Sequence, residues 1–85
     1  MTGTHERFAV FGFAGTHEAM RGEAALLEAG CDAVLIPTPK ALGTLCGLAA
    51  RVPVPERVAA LEALARVGIT PDGEIEMVDR VAGPL

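Results

Sequence analysis

Two helical stretches, each ended by a glycine and flanked by short apolar runs, constrain this chain more than any other feature. The first opens at Gly15-Thr16, where the Thr16 hydroxyl is placed to cap free backbone N–H groups; Glu18 sits in the first turn, and Met20, Ala24 and Leu27 share a face. It closes at Gly30. The second has Pro55 near its first position, Glu56 in its first turn, Val58, Leu61, Leu64 and Ala65 on one stripe, and Gly68 as its stop. Residues 7–13 carry apolar side chains on both alternating faces and read as a central strand. Ala33 to Ile36 form a brief second strand, which Pro37-Thr38-Pro39 ends because proline cannot donate to a ladder. Residues 46–52, with Leu48, Ala50 and Val52 on one side, read as a third strand stopped by Pro53 and Pro55. After the turn Pro71-Asp72-Gly73, Ile75 and Met77 alternate with Glu76 as a fourth, edge strand.

The resulting β-α-β-β-α-β order is the split motif of ferredoxin-like folds, and right-handed crossovers leave few alternatives. The expectation is an α+β two-layer sandwich: a four-stranded antiparallel sheet, order 4-1-3-2, with both helices on one face. Residues 1–85 then form one domain with core 7–80, a polar leader 1–6 and a tail 81–85. A chain of this length buries only about 60–65% of the surface it exposes when unfolded, enough for one modest core. Function must therefore sit on an edge, a loop or a partner.

Seven basic against eleven acidic residues give a net charge of −4, opposite to the footprint that phosphate-backbone binding needs, so nucleic acid is not expected. The three Phe fall on one apolar run and there is no Trp or Tyr, which leaves no stacking platform. No apolar segment approaches the roughly 20 residues needed to cross a bilayer, and the polar start shows no export signal. The expectation is a cytoplasmic protein that does not engage membranes, with its two cysteines, Cys31 and Cys46, as free thiols.

In this topology the start of the third strand lies beside the end of the first, so the loop around Cys46 leaves the sheet near Thr16 and His17. A thiol there, near the helix amino terminus with the Thr16 hydroxyl, the His17 ring and Lys40 in reach, would be favoured as thiolate and nucleophilic. Gly47 would let another backbone or a reactant approach the sulfur. The same cysteine also fits a small buried strand residue. Cys31 follows Gly30 at the carboxyl end of the first helix, where partial negative charge disfavours a thiolate, and it is too distant for a disulfide. His5 reads as solvated; His17 fits either a thiol neighbour or an exposed helix-start residue. The loop Phe13-Ala14-Gly15-Thr16-His17 contains neither the cysteines of a soft-metal site nor the arginine of an acyl-phosphate hydrolase, and the two Cys and two His show no zinc spacing. No metal and no cofactor are expected. No phosphate-binding glycine motif, serine elbow or carboxylate pair occurs.

Thr16-His17-Glu18-Ala19-Met20, Glu23, Leu27 with Gly30, Leu35-Ile36-Pro37-Thr38-Pro39-Lys40 and Cys46-Gly47-Leu48-Ala49 together resemble the putative selenium/sulfur carrier protein-like family over roughly residues 7–78. The most specific part is the Ile-Pro-Thr-Pro-basic stretch followed by Cys-Gly-Leu-Ala. The resemblance implies that Cys46 carries the chalcogen as a persulfide or perselenide, with Thr16, His17 and Gly47 in its site and Pro37, Thr38, Pro39 and Lys40 as a binding surface. It implies a cysteine desulfurase or selenocysteine lyase as donor and a protein acceptor. It implies a carrier more than a turnover enzyme. A second reading is a non-catalytic regulatory or assembly module. The first strand leaves Phe or Val side chains on a sheet face that two helices cannot cover, and a homodimer could bury them.

Overall fold

The computed structural model describes residues 5–43 and 47–80. Four strands, β1 (His5–Gly12), β2 (Val34–Pro37), β3 (Leu48–Pro53) and β4 (Gly73–Arg80), form one antiparallel sheet in the order β2-β3-β1-β4. Helices α1 (Thr16–Glu28) and α2 (Arg57–Arg66) are inserted between β1 and β2 and between β3 and β4. This is the ferredoxin-like arrangement expected from the element order. Gly30 and Gly68, both at positive φ, end the two helices in the same way. In each, the glycine N–H bonds back three residues and the next N–H bonds back five, Cys31 to Leu26 and Ile69 to Leu64.

Several boundaries differ from expectation. β1 starts at His5 and β4 runs to Arg80, because the two pair residue for residue from Gly12 opposite Gly73 to His5 opposite Arg80. A long partner thus draws His5 and Glu6 into the ladder, residues that alternation alone leaves in a leader. Gly15, not Thr16, is the N-cap of α1, and no side chain caps it. Thr16 is the first helical residue, and one position into the helix its hydroxyl no longer faces the N–H groups ahead.

Both helices are also rotated from the expected faces. The core takes Ala19, Gly22 and Leu26 from α1, while Met20, Ala24 and Leu27 face outward. From α2 it takes Ala60, Ala63 and Leu64; Leu61 is half-buried and Val58 and Ala65 are exposed. Bulk decides this: Phe11 and Phe13 fill the space over the sheet, so the helices bring four small residues to it, Ala19, Gly22, Ala60 and Ala63, and one leucine each, Leu26 and Leu64. A Cβ on Gly22 would stand 3.0 Å from Phe13 Cζ and 3.3 Å from Leu64 Cδ2.

The sheet face away from the helices carries Phe8, Val10 and Ala49, all buried, with Ile75 and Met77 half-buried alongside. The apolar face expected to stand uncovered is therefore covered. Arg51 lies over the Phe8 ring at 4.2 Å and its Nη1 meets Asp79 Oδ2 at 2.8 Å. A short 3-10 turn, Lys40–Leu42, leaves β2 at one edge and lies against β4 at the other. On the helix side of β4, Glu74 pairs with Arg57 and Glu76 with Arg7. No helix among the described residues is long and apolar enough to cross a membrane.

Candidate functional site

Pro37, the last residue of β2, pairs with Leu48, the first of β3. One step beyond, the Thr38 N–H donates to the Gly47 carbonyl at 3.1 Å. This bond closes the neck of the connection, so residues 38–47 leave and re-enter the sheet at adjacent points. Pro37 and Pro39 fix φ on either side of Thr38. The Lys40–Leu42 turn follows, with Leu42 N–H bonded to the Pro39 carbonyl at 3.0 Å and Gly43 N–H to the Lys40 carbonyl at 2.9 Å. Gly43 then adopts φ 79° and ψ −158°, a region that side chains exclude.

Gly43 is the element of this loop that pattern reading missed; a glycine closing a short turn is its only sequence signal. Gly43→Ala should raise the strain at this position by about 1–3 kcal/mol. Thermal melting should show the loss.

Cys46, with Thr44 and Leu45, lies outside the described residues. What is described is the frame around it. Gly12 is paired with both Ala49 and Gly73, so the end of β1, the start of β3 and the start of β4 share one end of the sheet. Helix α1 begins at this end too, four residues past Gly12. Its first-turn amides have no side-chain cap and carry the positive end of the helix dipole.

Thr16, His17 and Lys40 are all exposed, and no side-chain hydrogen bond or ion pair joins any of them to another described residue. The structure thus brings Pro37, Thr38 and Gly47 together at the loop neck, while Thr16 and His17 stand at the start of α1 and Lys40 in the 3-10 turn. Among the described residues, a Cβ at Gly47 would meet nothing within 4 Å. No described neighbour packs against it, so the space ahead of β3 is open to the described residues.

Cys31 is sealed in the core at 6% exposure, among residues at the end of α1 and the start of β2. Burial pushes its thiol above the ordinary value, and the Glu56 carboxylate adds to the effect. The same Glu56 accepts a bond from the Asp32 N–H at 2.6 Å, which ties the entry of β2 to the segment ahead of α2. Among the described residues no group of three or more His, Cys, Asp or Glu could hold a metal ion.

Comparison with curated proteins and with solved structures returns no match. A family model does match, over residues 8–76, which takes in β1 from Phe8 onward, both helices, the loop with its cysteine and the first half of β4. The chain belongs to the family described as putative Se/S carrier protein-like.

Proposed function

We propose that this protein carries sulfur or selenium on Cys46 and hands it to an acceptor. The observation that carries the reading is the burial of Cys31. The sequence has two cysteines, and one of them is packed in the core with its thiol shifted away from ionisation, so carriage on a thiol falls to Cys46. The closed loop neck, the open space at Gly47 and the uncapped start of α1 at the same sheet end support that assignment.

The step is an exchange without net oxidation. The Cys46 thiol releases its proton to solvent, and the thiolate attacks the terminal sulfur of a donor persulfide such as a cysteine desulfurase carries. A new S–S bond forms at Cys46, the donor's S–S bond breaks, and the donor cysteine leaves as thiolate. A second thiolate, on the acceptor, repeats the exchange in the other direction. With a selenocysteine lyase as donor, selenium takes the place of the terminal sulfur.

The test is intact-protein mass spectrometry after incubation with a cysteine desulfurase and cysteine, and separately with a selenocysteine lyase and selenocysteine. Wild type and Cys31→Ser should each gain one chalcogen atom; Cys46→Ser should gain none. A gain that survives in Cys46→Ser, or no gain in wild type with either donor, would sink the reading and favour the non-catalytic module. The burial of Phe8 and Val10 removes the uncovered sheet face on which that module was expected to dimerise.

A further inference from the structure

The stripe on α1 that sequence periodicity assigns to the core faces outward, with Met20 58% and Leu27 52% exposed. At 3.6 residues per turn Ala24 lies opposite the buried Ala19, Gly22 and Leu26, so it marks the middle of the outward face. Met20 and Leu27 flank it on one side. Arg21 and Glu28 flank it on the other, where they line a shallow groove with Ala24, Ala25 and Val67. Arg21 donates to the Val67 carbonyl at 3.1 Å, and Glu28 has no hydrogen bond or ion pair with any described residue.

We infer that this face of α1 is the contact between two copies of the chain, packed antiparallel across Ala24. The pattern is self-complementary in that arrangement alone. At 1.5 Å per residue Arg21 lies about 4.5 Å to one side of Ala24 along the helix and Glu28 about 6 Å to the other. A two-fold axis perpendicular to the helices therefore sets Arg21 against the partner's Glu28, and Glu28 against the partner's Arg21. On the opposite flank it sets Met20 against the partner's Leu27. Ala24 at the crossing allows the axes to approach to roughly 8 Å. A parallel pair would instead lay the charged flank of each helix on the apolar flank of the other. The contact uses the helix layer, leaves the loop that bears Cys46 outside it, and does not depend on the carrier reading.

Sedimentation equilibrium in reducing buffer tests this, with far-UV circular dichroism and thermal melts to show that each variant is folded. Wild type should be a dimer at roughly 0.1 mM. Leu27→Glu should weaken association at least about tenfold, as should Arg21→Glu and Glu28→Arg singly. The double variant Arg21→Glu/Glu28→Arg should recover wild-type association to within about threefold, because the two-fold restores both pairs. Val78→Glu, on the exposed face of the edge strand β4, should leave association unchanged. A monomeric wild type, a folded Leu27→Glu that dimerises as wild type does, a double swap no better than the singles, or a dimer lost in Val78→Glu would each overturn the inference.

Discussion

Iodoacetamide should modify Cys46 in the native protein at neutral pH and leave Cys31 unmodified until the chain unfolds. Cys31 is in the core, and the reactive thiolate is disfavoured there, first by burial and then by the Glu56 carboxylate. Reagent reaches it only through opening. With a global stability of at least about 4 kcal/mol, and about 1.4 kcal/mol for each factor of ten, its alkylation should run several hundredfold or more slower than that of an open thiol. The same shift fixes the pH dependence of stability. The native thiol titrates above the unfolded one, so its contribution is complete below the ordinary thiol value of about 8.5. It is lost as pH rises from there through the native value, because ionisation then favours the unfolded chain. Urea midpoints at pH 7 and pH 10 should therefore fall further for wild type than for Cys31→Val. Equal native alkylation of both cysteines would remove the ground for assigning the chalcogen to Cys46.

The fold could be read from the sequence because its punctuation is local. Gly30 and Gly68 end helices through their own positive φ, and Pro37 and Pro53 are the last residues of their strands, so element order survives any error in packing. The helix faces could not be read in this way. Apolar residues occupy nearly the whole circumference of α1 from Ala19 to Leu27, and a stripe at 20, 24 and 27 fits the period as well as one at 19, 22 and 26. What chooses between them is the volume of Phe11 and Phe13, supplied from elsewhere in the chain. The same holds at the site. The Pro37-Thr38-Pro39 signal marked the loop, but its closure rests on a Thr38 to Gly47 bond and on the conformation of Gly43, neither of which leaves a pattern in sequence. Nothing in the pattern of residues 46–52 marks Arg51 as the residue that lies over Phe8 and pairs with Asp79.

Phe13→Ala should cost about 3–5 kcal/mol, the upper range for a buried aromatic. At roughly 0.05–0.15 kcal/mol per residue, a domain of this size has about 4–13 kcal/mol in all, so the variant loses from about a quarter to all of its stability. The cost belongs at the high end because the site cannot collapse. Phe13 is fully buried and its ring lies where a side chain on Gly22 would stand, 3.0 Å from Cζ and 3.2 Å from Cε1. With the ring gone, α1 presents bare glycine backbone to the void, with no side chain at position 22 to fill it. Filling from the helix side should recover part of the loss: Gly22→Leu in the Phe13→Ala background should regain about 1–2 kcal/mol, from returned apolar volume and better helix propensity. The same Gly22→Leu change in wild type should destabilise, since the ring already holds the space. Urea unfolding of the four proteins gives the coupling directly. A Phe13→Ala cost below 1 kcal/mol, or a Gly22→Leu effect of the same sign in both backgrounds, would show that α1 does not meet the sheet through this contact.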